Sequence, residues 1–274
     1  MDDNSAKFVG SIPDFYDRGM GPVIFADFAA DMAQRVKALN PKLVVETAAG
    51  TGILTRAMRD VLPGRTKIIA TDLNPPMLEV AKRKFARGEP VVLQPADAVN
   101  LPFDDACCDL LVCQFGVMFF PDKEESFRTA YRVLEDGGHY LVSVWDSHAF
   151  NPFGEVIHRV AGSFFPDNPP QFYAVPFSYS ALDPIKAGLQ AAGFSGIEVS
   201  VNRIEKVVTD PELFARGTVF GNPMFDQIRA RDGDPEAVAQ AILAELKERF
   251  GTEPMVLQLQ EIVFTARKGA VKRA

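Results

Sequence analysis

The sequence predicts an α/β protein with a doubly wound, mainly parallel sheet and a helical cap. Three observations carry this. Between residues 43 and 145 short apolar strands alternate with helical segments, the pattern of a sheet covered by helices on both faces. Those strands are unbroken and rich in Val, Ile and Leu, as suits strands buried on both faces. After Trp145 the alternation breaks, and a helical block stands between two late strands.

In chain order, Pro13 and Tyr16-Asp17-Arg18 lead to Gly19, Gly21 and Pro22. A helix is predicted over residues 23–39, where Ile24, Phe28, Met32 and Val36 share one face, and Asn40-Pro41 ends it. A strand at Leu43-Val44-Val45-Glu46 follows, then a glycine turn and a helix from Ile53 to Leu62. Lys67 to Asp72 is a second strand. Asn74-Pro75-Pro76 opens a helix over 77–87, proline being tolerated in a first turn. Residues 91–94 and 108–114 are the third and fourth strands, and a helix is expected over 123–134. The Glu135-Asp136-Gly137-Gly138 turn then precedes a fifth strand, 139–145. Residues 146–182 are rich in Pro and Phe and carry no clean period. A helix over 183–192, a strand over 197–208, a helical stretch over 211–250 broken at Asn222-Pro223 and Gly233, and a strand over 255–266 complete the chain. The expected division is an N-terminal helical lid (1–42), a core (43–146), a cap insertion (147–182), a core continuation (183–208), a helical insertion (209–254), a last strand (255–268) and a basic tail (269–274).

Of 274 residues, 47% are hydrophobic and 24% charged, a composition that can bury a large core and argues against disorder. The net charge of −7, with basic residues clustered only at Arg267, Lys268, Lys272 and Arg273, disfavours a nucleic-acid partner. No apolar run approaches the ~20 residues of a membrane span, and the polar N-terminus is not expected to be a signal peptide. Cys107, Cys108 and Cys113 show neither a disulfide framework nor a zinc spacing, so reduced thiols, a cytoplasmic location and no metal are expected.

The chemistry centres on Val44-Val45-Glu46-Thr47-Ala48-Ala49-Gly50-Thr51-Gly52. Gly50 and Gly52 let backbone approach a ligand above the turn, at the carboxyl end of the first strand. Two ligands compete. A nicotinamide dinucleotide wants Gly or Ala where this chain has Thr55, and its pyrophosphate would sit beside Glu46, a costly like-charge contact. S-adenosylmethionine has no phosphate, and its ammonium and sulfonium favour a carboxylate at Glu46. Asp72, about twenty residues past the glycines, can accept from ribose hydroxyls in either ligand. Asp97, after the third strand, can accept from an adenine amino group and tips the choice.

With Ala70-Thr71-Asp72-Leu73, Ala96-Asp97-Ala98, Asp109 to Phe115 and Leu134-Glu135-Asp136-Gly137-Gly138 in order behind that turn, residues 44–145 resemble the class I S-adenosylmethionine-dependent methyltransferases. The nearest look is the small-molecule, ubiquinone- and menaquinone-type subgroup. The departure is Ala48, where the family often has glycine. The resemblance implies a Rossmann-like sheet of seven strands, the last antiparallel, and S-adenosyl-L-homocysteine as product. It implies that Glu46 and the backbone of Ala48, Gly50 and Gly52 hold the methionine portion, with Gln114 backbone at the ammonium. Asp72 would hold the ribose, Leu73 and Met77 would flank the adenine, Asp97 and Ala98 would read its edge, and Tyr16 would cover the site.

The acceptor is expected above the strand ends, against Phe115, Met118 and Phe119 and under the aromatic-rich insertions, which favours a small, largely apolar or aromatic molecule. Methyl transfer from a sulfonium needs positioning first and a base only if the acceptor must lose a proton. Of three histidines, His148 follows the carboxyl end of the fifth strand and is the candidate base; His139 lies at the opposite end. A nicotinamide-dependent oxidoreductase and a non-catalytic S-adenosylmethionine-binding protein are the alternatives.

Overall fold

Seven strands form one sheet in the order β3-β2-β1-β4-β5-β7-β6. The computed structural model describes residues 6–269, so Lys272 and Arg273 of the expected basic tail lie outside the described residues. The strands are β1 Leu43–Glu46, β2 Lys67–Asp72, β3 Val91–Pro95, β4 Cys108–Gln114, β5 Leu134–Trp145, β6 Phe194–Val208 and β7 Met255–Lys268. The first five pair in parallel; β7 runs antiparallel to both β5 and β6. The order reverses between β1 and β4, and in such sheets the crevice at that switch point is where a ligand binds.

Side-chain alternation along the strands sorts the core onto two faces. Val44, Ile68, Leu110, Val112, Leu141 and Val263 point to one, where α2 (Ala26–Ala38) and α3 (Ile53–Val61) bury Ala29, Met32, Ala33, Val36, Leu54 and Met58. Val45, Leu111, Cys113, Val142 and Phe264 point to the other, under Phe127 and Ala130 of α5 (Lys123–Val133) and Ile185 and Leu189 of α7 (Leu182–Ala191). Helix α4 (Pro75–Lys82) lies beside β3 and ends five residues before the expected 87, giving way to turns.

Three sequence expectations change. The first helix starts at Ile12, not 23: α1 (Ile12–Phe15) runs into a π-helical stretch, Tyr16–Phe25, and on into α2. Ala26 N–H reaches back five residues to Gly21 O. The wider turn accommodates Pro22, which has no N–H to give, and the glycines serve a packing purpose. A Cβ on Gly19 would lie 2.7 Å from Leu213 O and 2.8 Å from Gly217 Cα, so the stretch crosses α8 (Pro211–Phe220) backbone to backbone. Secondly, residues 146–182 contain α6 (Pro152–Ser163). Phe153, Val156, Ile157, Val160 and Ala161 are buried along it at helical spacing. The expected Glu135 to Gly138 turn is drawn into β5, with a register shift on the β4 side between Cys108 and Leu110. Helices α8, α9 (Met224–Arg229) and α10 (Pro235–Phe250) form the block between β6 and β7, and α6 packs on α10 to close the cap. No described helix is long and apolar enough to cross a membrane.

Candidate functional site

The β1 turn is held open by backbone geometry that glycine makes easy. Gly50 and Gly52 have φ of +55° and +74°, and Ala48 takes φ +53° despite its methyl. In an L-residue that left-handed conformation costs ~1–2 kcal/mol, so the surroundings must hold Ala48 there. Ala49 N–H donates to Thr71 O at 2.9 Å and Gly50 N–H to Asp72 Oδ2 at 2.8 Å, tying the turn to the end of β2. The two glycines serve different neighbours. Gly50 lines a cavity, whereas a Cβ on Gly52 would lie 2.9 Å from Ala81 Cβ, so its close approach is to α4.

Asp72 is buried and already engaged. Besides the Gly50 N–H at Oδ2, its Oδ1 accepts from Asn74 N at 2.8 Å and Asn74 Nδ2 at 3.3 Å. A carboxylate has about four acceptor sites, so three are taken and room remains for one further donor, not the two ribose hydroxyls expected. Burial pushes its pKa up, against the hydrogen bonds from Asn74 and Gly50. Asn74 also donates to Ala6 O at 2.9 Å and accepts from Phe8 N at 3.2 Å, which straps the N-terminal segment over the site. Ion pairs of Asp14 with Arg83 (2.7 Å) and of Asp17 with Lys84 reinforce that strap on the segment after β2. Tyr16 is thereby placed as a roof, stacked on Phe25 with ring centroids 5.0 Å apart.

A cavity of about 150 Å³ opens at this point. Of the candidates for the cofactor, Tyr16, Ala48, Gly50, Asp72, Leu73, Met77, Asp97 and Ala98 all line it, with Ala6, Phe8, Asn74, Phe115, Gly116, Phe119 and Phe120 among the other walls. Met77 is buried and Leu73 is exposed at the rim. Asp97 also holds its own turn, Oδ1 accepting from Val99 N at 2.9 Å.

Three candidates are not on that wall. Gly52 faces α4. Gln114 ends β4 with its Nε2 buried and unpartnered, and the cavity wall beyond it is Phe115 and Gly116. Glu46 is 2% exposed beneath the turn, where Thr55 Oγ1 donates to its Oε2 at 2.6 Å. Thr55, which looked like a misfit for a dinucleotide, is the carboxyl's partner. Burial pushes the Glu46 pKa up to about 8, with Asp72 adding to the rise and the Thr55 bond opposing it.

Glu261 of β7 is its counterpart across the sheet: fully buried, accepting from Asn202 Nδ2 at 3.3 Å, and pushed by burial to about 8. The folded chain keeps protons on both carboxyls that the unfolded chain releases near its ordinary 4.5. Their stabilising contribution is therefore complete below about pH 4.5 and is lost as pH rises through about 8, at up to about 1.4 kcal/mol per pH unit per group. Glu46→Gln and Glu261→Gln should each flatten the decline of melting temperature between pH 5 and 8. Variants whose profiles run parallel to wild type would show that neither carboxyl is protonated in the fold.

A second cavity of about 60 Å³ adjoins the first, and Phe8, Tyr16, Phe115 and Phe119 line both. Its remaining walls are Met20, Ile24, Phe25, Trp145, Phe153, Phe172, Tyr173, Pro176, Phe177 and Asn222. Phe115 is stacked on Trp145 at 4.1 Å and 11°, and Phe119 on Phe172 at 6.1 Å and 19°. Met118, expected beside them, is buried away from both cavities because the short helical turn Val117–Phe119 points it into the core.

His148 lines neither cavity. Its Nε2 lies 3.2 Å from Tyr173 O, its ring packs on Phe177 at 4.5 Å, and burial holds its pKa below the ordinary value. The geometry makes it a brace for the segment carrying Tyr173. His139 pairs with Leu110 and Arg267 at the far end of β5. Sequence reasoning missed Phe8, Asn74, Trp145 and Asn222, whereas Tyr173 is one of the insertion aromatics expected to roof the acceptor. Trp145, the only tryptophan and the last residue of a strand at the ligand-binding edge, carried the one available signal.

Comparison with known proteins agrees with this geometry. A family model described as a methyltransferase domain matches residues 45–142. The demethylmenaquinone methyltransferase of Thermus thermophilus is 33% identical over 186 residues, covering 61% of this chain and 84% of that protein. The ubiquinone/menaquinone biosynthesis C-methyltransferase UbiE of Escherichia coli is 28% identical over 170 residues, 57% of this chain and 67% of its own length. Among solved structures, the YcgJ protein of Bacillus subtilis superposes with a TM-score of 0.58 at 20% identity, over 89% of this chain and 99% of that one. A putative methyltransferase of Bacillus halodurans gives 0.56 at 22%, over 88% and 99%. At those identities the structures speak for the fold alone.

Proposed function

The chain belongs to the class I S-adenosylmethionine-dependent methyltransferases, and on that footing we propose that the first cavity holds the methyl donor and the second the acceptor. The observation that carries the assignment is the pair of adjoining cavities with opposite chemistry. One has Asp72, Asp97, Asn74 and backbone amides on its wall; the other is almost wholly aromatic and aliphatic, and four residues are common to both. A donor lying along the β1 turn would meet an acceptor ring at those four residues.

Size supports the same arrangement. At about 60 Å³ the second cavity is smaller than the ~150 Å³ void known to hold a benzene. A ring fits by reaching through the junction, which brings its edge toward the donor. In-line displacement asks the protein for alignment and a dry site, and stacked Phe115 and Trp145, with Phe119 and Phe172, supply flat walls for both. We take the acceptor to be a planar hydroxylated ring of the hydroquinone kind, methylated at carbon, because the relatives from Thermus thermophilus and Escherichia coli are named for quinone methylation. An acidic chain with unpaired cysteines suits a reducing cytoplasm and a small molecule, not a nucleic acid.

In the reading we propose, Ala48 and Gly50 pass their backbone along the donor, Asp72 gives one acceptor site to the ribose, and Asp97 and Ala98 meet the adenine between Leu73 and Met77. Glu46 acts from below, with Thr55, to shape the turn. Bound S-adenosylmethionine supplies the electrophilic methyl. Neither cavity wall carries a histidine or lysine. Calorimetry with S-adenosylhomocysteine and with NAD(P), followed by transfer of labelled methyl to hydroquinones, phenols and amines, tests the proposal. Tight S-adenosylhomocysteine binding with methylation of a hydroquinone is expected. Binding with no transfer to any of them would assign the chain a non-catalytic role, and binding of NAD(P) alone would overturn the donor assignment.

A further inference from the structure

The second cavity has one polar island, and its hydrogen bonds can be counted. Tyr173 hydroxyl donates to Thr218 O at 3.2 Å, with the weaker acceptor Met20 Sδ at 3.9 Å beside it, and accepts from Asn222 Nδ2 at 3.3 Å. Asn222 Nδ2 gives its other hydrogen to Thr218 O at 2.8 Å, and Asn222 Oδ1 accepts from Met224 N at 3.0 Å. Thr218 Oγ1 is turned away, onto Ala215 O at 2.7 Å. The asparagine donors are spent and the phenol hydrogen is committed. A phenol oxygen has two acceptor positions, and Asn222 fills one. Asn222 Oδ1 keeps a second lone pair beside Met224 N, and the other unfilled position is the remaining lone pair on the Tyr173 oxygen, on a residue that lines an otherwise apolar cavity.

That position has a definite preference. A ligand hydroxyl or N–H donates to it; a ligand ether, fluorine or carbonyl oxygen presents lone pair to lone pair. Turning the Tyr173 hydroxyl to serve such a group would take its hydrogen from Thr218 O. Asn222 and Thr218 thus fix the polarity of Tyr173, and the aromatic walls fix the plane of the ring that meets it. Tyr16 lines both cavities, and burial, with Asp72 and Asp17 adding to the effect, keeps its phenol protonated. No carboxylate reaches this wall. Recognition here is by a neutral, oriented dipole, which discriminates between presence and absence of a donor better than between ring sizes.

We infer that Tyr173, oriented by Asn222 and the Thr218 carbonyl, is the specificity-determining residue of the acceptor cavity and accepts a hydrogen bond from a hydroxyl on the acceptor ring. The inference rests on the cavity assignment proposed above. It adds which atom reads the acceptor and the class of acceptor admitted: aromatic rings with a free hydroxyl, at the expense of their ethers and of rings without one.

The test compares 1-naphthol with 1-fluoronaphthalene, nearly equal in shape and differing in the donor, for binding to the full chain with and without S-adenosylhomocysteine. The wild type should bind the naphthol at least tenfold more tightly. Tyr173→Phe should bring that ratio close to one, leaving the affinity for 1-fluoronaphthalene and for S-adenosylhomocysteine within about twofold of wild type. The Asn222–Thr218 bond survives this substitution, and S-adenosylhomocysteine binding reports that the fold does too. Asn222→Leu, which frees the Tyr173 hydroxyl to turn, should lower the ratio only in part. A ratio near one in the wild type, or one that Tyr173→Phe leaves intact, would overturn the inference. Failure of S-adenosylhomocysteine to bind would instead count against the donor site, with the naphthol ratio still read in the free protein.

Discussion

Asp72→Ala is expected to weaken S-adenosylhomocysteine binding by about 2–4 kcal/mol and to lower the melting temperature as well. From the sequence the residue looks like a ribose acceptor whose loss costs one or two hydrogen bonds. In the structure its oxygens hold Gly50 N–H at 2.8 Å and Asn74 N–H at 2.8 Å. Those donors lose their acceptor in the alanine variant, and an unpaired, largely buried polar group costs ~1–3 kcal/mol. The damage spreads along the chain, because Gly50 anchors the β1 turn and Asn74 holds Ala6 and Phe8 over the cavity. Asp72→Asn keeps an oxygen for Asn74 N–H but turns an amide NH₂ toward the Gly50 N–H, so it should fall between wild type and alanine on both measures. Calorimetry and thermal melts on the three proteins separate the two roles. Loss of affinity with an unchanged melting temperature would mean that ribose contact is the residue's whole contribution. No change in either would remove Asp72 from the site.

Why some of this was legible and some was not follows from how far apart the partners lie in the chain. Lys67 to Asp72 and Cys108 to Gln114 read as strands with their ends in place, because each is an apolar run stopped by a polar side chain at the ligand edge. That Gly50, Asp72 and Asp97 would share the first cavity was readable for the same reason: each follows a strand, and parallel strands deliver their carboxyl ends to one crevice. Glu46 ends the expected strand but is buried off the cavity wall. Strand position says where a side chain begins, and the Thr55 hydroxyl decides where it ends. The second cavity was less legible. Phe8, Tyr173 and Asn222 come from the strap, the first insertion and the second, and no local period links them. Helix α6 had a readable repeat, obscured by Phe164-Phe165 and the prolines that follow. His148 shows the opposite error: a histidine at the correct edge of the sheet, turned to a backbone carbonyl.

The crossing beside the second cavity should be the most sensitive point outside the proposed donor site. Gly217→Val is expected to cost about 3 kcal/mol of stability and most of the methyl transfer, while S-adenosylhomocysteine affinity changes little. A Cβ at position 217 would lie 2.9 Å from Gly19 Cα and 2.9 Å from its carbonyl carbon, both backbone atoms that cannot rotate away. Two effects compete. Replacing a helical glycine gains up to ~1 kcal/mol of helix propensity, least for a β-branched residue. Overpacking typically costs ~1–3 kcal/mol and sometimes more, and contact with backbone atoms that cannot rotate away puts this site at the upper end. Strain wins, and α8 must move off the Tyr16–Phe25 stretch. That helix supplies the Thr218 carbonyl and leads into Asn222, so the oriented Tyr173 hydroxyl is lost with it. The first cavity takes no residue from α8 and should persist. Gly217→Ala, with a smaller overlap and a larger propensity gain, should lose only about 1 kcal/mol, and the preference for 1-naphthol should fall with it. A valine variant as stable as wild type would mean that the two helices are not held in this contact. Equal loss of donor and acceptor binding would mean that the two cavities do not depend on separate elements.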